Sequence, residues 1–331
     1  MIEIIKVENK DQQREFVMFP FSLYKGCDYW VPPIISEELE LMDKEKNPVF
    51  ENAEAEFYIA KKEGVTVGRI AAMVNWVEIE EQKKNKLRFG WYDTIDDLEV
   101  SKKLLESVID FGKKRKLEFV DGPVGFSNMD KAGLLIEGYE ELNTMITWYH
   151  YPYQKEHLKK LGFSKLAEWV EYKIKIFSAE DAPEKVKKFS KIIQQRYKLK
   201  VLNFKSRKEI IPYVDKMFEL LNVTYSNLQT YVTIKQYQID FYKEKFIKYI
   251  HPDFIKCCLD KDDNLIAFLI TMPSFSRALK KINGKMGFMG YLRLFKAQHF
   301  NDRVSLYLIG VDPKYQSKGV TAVIFNELQN T

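Results

Sequence analysis

Residues 304–328 have the types and spacing needed to bind phosphate. An apolar run, 304–311, leads into the polar loop 312–319, and a helical pattern of apolar residues starts at Val320. Gly319 ends the loop, where it can take a backbone conformation that a side chain would obstruct. Backbone N–H groups at such a loop and at the start of the next helix lack partners within the helix, so they converge on an anion. We therefore predict a phosphate-binding loop; the alternative is a plain connection in which Gly319 only eases a turn.

The order of residues in this loop resembles the acetyl-CoA motif of the GNAT N-acetyltransferases. In that motif a Val-x-Pro-x-Tyr approach precedes Gln or Arg, two variable residues and Gly. The matching residues here are Val311, Pro313, Tyr315, Gln316 and Gly319. Thr321 departs from the motif, where Gly or Ala is usual: its branched side chain would crowd a pyrophosphate, although its hydroxyl could donate a hydrogen bond instead.

The resemblance implies acetyl-CoA, or another acyl-CoA, as co-substrate. It also implies the residues that bind this co-substrate, from the strand end through the loop to the first turn of the helix. They are Leu308, Ile309, Gly310, Val311, Gln316, Ser317, Lys318, Gly319, Val320 and Thr321.

Catalysis in this family uses backbone donors on the strand before the loop. We expect Gly310 to permit a bulge that frees its backbone groups, and such donors stabilise the oxyanion that forms when an amine attacks a thioester. The general base is not assigned, because residues 304–311 contain no carboxylate. Tyr307 or a water relayed to a remote acid could serve; alternatively, Tyr307 is only a core aromatic.

A similar pattern occurs in both halves of the chain. Residues 57–74 and 254–272 each alternate, turn and alternate again, which predicts a hairpin, and each is followed by a strand and a helix. We therefore predict an α/β (α+β) chain of two tandem GNAT-like domains, each a mixed, mostly antiparallel sheet flanked by helices. The predicted domains are 1–177 and 178–331, with the polar, Pro-containing segment 178–183 as boundary.

The first half differs from the second where the second has its loop. A strand at 87–92 and a helix at 100–116 flank the segment 93–99, which has four acids and no glycine. Four carboxylates that face a pyrophosphate would repel it. Leu158 also replaces the acid Tyr that the family places four residues before the Gly of a Leu-Gly-Phe end. We expect a degenerate first domain that has lost acetyl-CoA binding and is structural or substrate-binding.

Two expectations concern the ends of the domains. After a helix at 150–163, residues Glu168 to Phe177 read as the last strand of the first domain. The sequence ends at Thr331, inside or just after the helix that follows the loop, whereas the resemblance requires a further strand, helix and strand. We expect a fragment of a longer protein, with the second domain incomplete at its carboxyl end.

A turn-rich segment, 121–135, is followed by the aromatic run 148–153. Aromatic walls with a few polar tips are typical of small-ligand sites. We predict that Asn128, Tyr149, Tyr151 and Tyr153 bind substrate. The alternative is that this segment packs the interface between the halves.

Composition and residue spacing argue against several kinds of partner. The net charge of +5 is a small excess of 52 basic over 47 acidic residues, without an aromatic-interleaved basic patch, so we expect no nucleic-acid partner. No apolar run is long enough to span a membrane and no export signal begins the chain, so we expect no membrane partner and a cytoplasmic location. Three cysteines and four histidines show no metal-ligand spacing, so we expect no metal.

These inferences predict an acyl-CoA-dependent N-acyltransferase that transfers an acetyl group to an unknown small-molecule or peptide amine. The second domain would bind CoA. A different class is a non-catalytic binding protein that senses CoA esters or another ligand on the same scaffold. A third hypothesis is an aminoacyl-tRNA-dependent transferase, whose tRNA binding would weaken steeply with salt. The sequence gives neither the acceptor nor the oligomeric state.

Overall fold

A computed structural model describes most of the chain. The described residues are 1–175, 184–228, 230–246 and 250–329. They divide into two compact units, Met1–Trp169 with Phe275–Ala297 and Val170–Ser274 with Gln298–Thr331. The segment 275–297 thus groups with the first unit, although the sequence placed it within the second domain. The predicted boundary at 178–183 lies outside the described residues.

The first unit contains a sheet in which each strand pairs with the next along the chain. Its strands are β1 (Ile2–Lys6), β2 (Ala53–Lys62), β3 (Val65–Asn75), β4 (Lys86–Thr94) and β5 (Phe119–Asp121). The β1–β2, β2–β3 and β3–β4 pairs are antiparallel, and only β4–β5 is parallel. The predicted hairpin turn is confirmed, because Glu63 and Gly64 both have positive φ, as a two-residue turn requires.

Helices cover both faces of this sheet. They are α1 (Lys10–Leu23), α2 (Ile35–Met42), α3 (Trp76–Glu80), α4 (Leu98–Lys114) and α5 (Pro152–Lys160). Successive β3 residues point to opposite faces, so Ile70 packs towards α4 and Ala71 towards α1 and α2. This two-sided cover explains why residues 67–75 of β3 are buried without interruption.

The second unit contains a second antiparallel sheet. Its strands are β6 (Lys200–Asn203), β7 (Ile255–Leu259), β8 (Leu265–Pro273) and β9 (Val304–Val311), in that order. Its helices are α6 (Glu184–Tyr197), α7 (Arg207–Tyr225), α8 (Gln236–Phe246) and α11 (Val320–Gln329). Two further helices, α9 (Ser276–Ile282) and α10 (Phe288–His299), belong wholly or mostly to the segment 275–297 that groups with the first unit. The fold class predicted from sequence is confirmed: the chain is a mixed α/β protein whose described residues form two mostly antiparallel sheets.

The predicted strand at Glu168–Phe177 is wrong over its described part. Residues 168–175 have no regular secondary structure, and Trp169, Val170, Tyr172 and Ile174 are exposed. An alternating pattern favours an extended segment, but a strand forms only where a neighbour accepts its hydrogen bonds. No strand pairs with residues 168–175 within the described part of the chain.

Candidate functional site

The loop between β9 and α11 has the backbone geometry of an anion cradle. Ser317 has φ +59° and Gly319 has φ +80°, so left-handed residues alternate with ordinary ones. Such alternation turns successive N–H groups towards one point. No described residue accepts a hydrogen bond from the N–H of Ser317, Gly319, Val320 or Thr321. Four donors are therefore available at the start of α11.

Side chains of the loop hold its shape. The side-chain amide of Gln316 donates to the Val311 carbonyl at 3.2 Å, which ties the loop to the end of β9. Asp312 accepts from the Lys314 N–H at 2.7 Å and caps the short turn Pro313–Tyr315. The loop is thus held by its own polar groups, and its free N–H groups need no rearrangement to receive a ligand.

A cavity of about 350 Å³ lies beside this loop. Its lining consists of Thr224, Tyr225, Leu228, Ile309, Val311, Tyr315, Gln316, Ser317 and Thr321. The Tyr225 hydroxyl donates to the Ile309 carbonyl at 2.9 Å on the β9 edge that β8 does not occupy. No sequence pattern signals Thr224, Tyr225 or Leu228, because they lie at or just after the end of α7 and meet β9 only in the folded chain.

The residues predicted to bind co-substrate fall into two groups. Ile309, Val311, Gln316, Ser317 and Thr321 line the cavity. The other five are not among the residues that line it: Leu308, Gly310, Lys318, Gly319 and Val320. Val320 is buried between α11 and the sheet, while Lys318 lies over the Tyr197 and Tyr315 rings at 5.5 and 5.0 Å.

The predicted bulge at Gly310 is wrong. Gly310 pairs regularly with Phe268, and the register shift lies between Ile270 and Thr271, opposite Tyr307. Gly310 is needed for packing, because an added Cβ would lie 2.5 Å from the Phe268 ring. The irregular position on β9 therefore belongs to Tyr307. Burial raises the pKa of Tyr307, so its hydroxyl stays protonated at neutral pH and is not available there as a general base.

The acidic segment of the first unit does not form a carboxylate cluster. Asp93 belongs to β4, where it is buried and pairs with Arg69 at 2.8 Å. The other acids have separate partners: Asp96 with His157 at 3.2 Å, Asp97 with Lys62 at 3.1 Å and Glu99 with Lys102 at 3.9 Å. The prediction that four carboxylates face one point is therefore wrong, since the strand and the helix cap turn them apart.

The first unit has its own narrow cavity, of about 20 Å³, which is room for about one water molecule. Its walls are aromatic, from Tyr24, Trp30, Trp148 and Tyr149, and its charged residues are Glu38, Arg69, Asp93 and Lys131. Burial lowers the pKa of Lys131, and the nearby Glu38 carboxylate opposes that shift. The cavity thus combines two cations and two anions with apolar walls.

The predicted substrate-binding tyrosines lie beside this cavity, but only Tyr149 lines it. Tyr149 contacts Tyr151 edge-on, with ring centroids 5.8 Å apart, and Tyr151 stacks on Tyr153 at 5.7 Å. The Tyr153 hydroxyl donates to the Thr94 carbonyl at 2.6 Å. Asn128 is partly buried in the preceding loop and is not among the cavity residues. Ring stacking and the hydrogen bond to β4 thus give Tyr151 and Tyr153 a structural role.

Two histidines of the first unit are buried. His150 is 1% exposed and His157 is 4% exposed. His157 lies 2.8 Å from the Ser101 hydroxyl and 3.2 Å from Asp96, an order that resembles a Ser-His-Asp triad. Ser101 is fully buried within α4 and receives a hydrogen bond from Tyr92 at 2.8 Å. No substrate carbonyl can reach this hydroxyl, so the arrangement joins α4, α5 and β4 structurally.

Comparison with known sequences gives distant relatives. No protein-family model matches the chain. It is 26% identical to Protein YghO of Escherichia coli (strain K12) over 322 residues, which cover 96% of this chain and 80% of YghO. It is 22% identical over 325 residues to the Bacterial ceramide synthase of Caulobacter vibrioides (strain NA1000 / CB15N), covering 96% of this chain and 82% of that protein.

Solved structures that the chain resembles include GNAT acetyltransferases. A tandem GNAT protein from the clavulanic acid biosynthesis pathway matches over 100% of this chain and 85% of its own, with 8% identity and a TM-score of 0.46. A GCN5-related glucosamine N-acetyltransferase region of a fungal multi-domain GH3 beta-N-acetylglucosaminidase matches over 99% of this chain and 34% of its own, with 10% identity and a TM-score of 0.48.

Proposed function

We propose that the second unit binds an acyl-CoA at the 312–321 loop and that the chain transfers the acyl group to an amine. The observation that carries this proposal is the set of four unpartnered N–H groups, from Ser317 to Thr321, beside an open cavity. A diphosphate is the ligand that such a cradle at a helix start favours. The GNAT-like order of residues 311–319 supports CoA as the molecule that contains this diphosphate.

The rest of the co-substrate would follow the free edge of β9. Ile309 and Val311 line the cavity next to the loop, so a pantetheine arm laid along this edge would meet backbone groups before it reached Tyr307. Attack of the amine nitrogen on the thioester carbonyl would form the amide, break the bond to sulfur and release CoA as thiol. The attacking nitrogen loses one proton and the leaving thiolate takes up one, so the transfer balances without a net acid or base.

The name of one relative guides the choice of acceptor. The Caulobacter protein is named for the synthesis of ceramide, which is an amide of a fatty acid and a long-chain amino alcohol. We therefore include long-chain acyl-CoA donors and long-chain amino alcohols beside acetyl-CoA and short amines. The first unit would be structural or would hold the acceptor.

The test is a thermal-shift titration with CoA, acetyl-CoA and long-chain acyl-CoA on the wild type and on Thr321→Glu. A ligand at a hundred times its Kd stabilises by about 2.7 kcal/mol. Thr321 is exposed in the first turn of α11, where a carboxylate is compatible with the helix dipole. The variant should fold but bind CoA at least about a hundredfold more weakly, because its charge faces the diphosphate.

The control is Asn326→Glu, which adds the same charge to α11 on a residue that does not line the cavity. Its CoA affinity should equal that of the wild type. Equal CoA affinity for all three proteins, or no thermal shift with any CoA compound, would contradict CoA binding at this loop.

A second candidate is a binding protein that retains CoA esters without transfer. It is favoured by one observation, the lack of any carboxylate along β9 that could act as base. An assay for release of CoA thiol in the presence of short amines and long-chain amino alcohols distinguishes the transferase from the binding protein. Saturable binding of acyl-CoA with no thiol release for any donor and acceptor would favour the binding protein.

A further inference from the structure

The helix α10 presents an apolar face to solvent. Its exposed residues Phe288, Tyr291, Leu292 and Phe295 are 78%, 63%, 46% and 58% exposed. Their spacing of three, one and three residues places them on one side of a helix. This surface, which we call the α10 face, is a stripe that soluble helices normally bury.

The opposite side of α10 holds the helix on the first unit. Gly290 is buried, and Leu294 packs with Met286 against the cluster of Val31, Ile34 and Leu279. The Ile35 N–H donates to the Gly284 carbonyl at 3.0 Å, which fixes the turn before α10. The helix is therefore anchored with its apolar face outwards, so the exposed side chains belong to a helix that is packed on its other side.

The segment that carries this face contains basic residues and no acidic ones, and one of its lysines, Lys280, forms an ion pair with Asp28 at 3.2 Å. Between Asp263 and Asp302 the sequence has six basic residues and no acid. They are Arg277, Lys280, Lys281, Lys285, Arg293 and Lys296. Lys281, Lys285 and Lys296 are exposed. A helix with exposed aromatic and aliphatic residues and flanking lysines and arginines is the type that lies in the headgroup region of anionic bilayers.

We propose that the α10 face docks the protein onto the surface of an anionic lipid bilayer. The phenyl and leucyl side chains enter the boundary between headgroups and acyl chains, while the lysine ammonium groups contact lipid phosphates. None of the helices in the described residues is long and apolar enough to cross a bilayer, so this contact is peripheral. The sequence-based expectation of no membrane partner considered only spanning runs and export signals, which a surface helix does not need.

The experiment is co-sedimentation of the full chain with vesicles. One set contains phosphatidylcholine alone, and the other contains equal parts of phosphatidylcholine and phosphatidylglycerol. We expect the protein to pellet with the anionic set and to be released by added salt, because surface charge interactions are screened. Equal pelleting with both sets, or none with either, would overturn the proposal.

Two pairs of variants separate the apolar and the electrostatic parts. Tyr291→Gln with Leu292→Gln should reduce partition into the anionic vesicles at least about tenfold, since two apolar side chains that would enter the bilayer are lost. Its control, Ile211→Gln with Val223→Gln, removes two exposed apolar side chains from α7 and should bind like the wild type. Lys285→Glu with Lys296→Glu should reduce partition at least about thirtyfold.

The charge control is Lys113→Glu with Lys114→Glu, two exposed lysines of α4 that change the net charge by the same amount. It should retain most of the binding. Equal losses in variants and controls would overturn the proposal. So would a dimer in sedimentation velocity that Tyr291→Gln with Leu292→Gln dissolves, because a second copy would then be the occupant of the α10 face.

Discussion

Nε and Nη2 of Arg69 each lie 2.8 Å from the same oxygen, Oδ2, of Asp93 on the neighbouring strand. The second oxygen of Asp93 accepts from the Tyr24 hydroxyl at 2.6 Å. Both charged side chains are buried, so each charge depends on the other for its solvation. This pair joins β3 and β4 at the edge of the first unit's cavity.

Replacing Arg69 by leucine should destabilise the first unit by about 3–5 kcal/mol, because the Asp93 carboxylate would stay buried without a counter-charge. Urea unfolding at neutral pH measures this loss. The matched control is Lys62→Leu, which breaks the exposed pair with Asp97 and should cost less than about 1 kcal/mol. Similar costs for both variants would contradict the dependence on burial.

The buried His150 predicts a loss of stability in weak acid. Burial lowers the pKa of His150 to about 4, and its Nδ1 accepts from the Leu135 N–H at 3.2 Å, which requires a neutral ring. The unfolded chain takes up a proton near pH 6.5, but the folded chain resists it. Stability is therefore full above about pH 6.5 and falls by about 3 kcal/mol as the pH drops to about 4.

The test compares urea unfolding of the wild type and His150→Asn from neutral pH to about pH 4. Asparagine offers an oxygen to the Leu135 N–H but does not titrate. The stability difference between the two proteins should shrink, or reverse in favour of the variant, as the pH falls. A constant difference would show that His150 titrates alike in both states.

Gly310 is predicted to be a packing residue. Gly310→Ala should destabilise the second unit by about 1–3 kcal/mol, because its Cβ would meet the buried Phe268 ring at 2.5 Å. Adding Phe268→Leu should recover part of the loss by making room. Gly287→Ala is the control, since no atom lies within 4 Å of its added Cβ. Thermal unfolding that ranks both alanine variants equally would contradict this role.

Much of the fold could be predicted, because its signals are local. The turn at Glu63 and Gly64, the helix from Leu98 to Lys114 and the order of β9, loop and α11 all follow from residues close together in sequence. The loop residues of the candidate site were predicted for the same reason. Its α7 wall was not, because Tyr225 meets Ile309 across 84 positions, and nothing in its own segment signals that contact.

The sequence by itself determined the hairpins, the amphipathic helices and a loop that turns free N–H groups towards one point, because turn conformation and side-chain period are properties of neighbouring residues. Only the tertiary structure decided the rest. It paired Asp93 with Arg69, left residues 168–175 without a neighbouring strand among the described residues, made Gly310 a packing residue, and turned the apolar side of α10 outwards. Burial, charge pairing and strand pairing depend on groups that are distant in sequence, and only the folded chain brings such groups together.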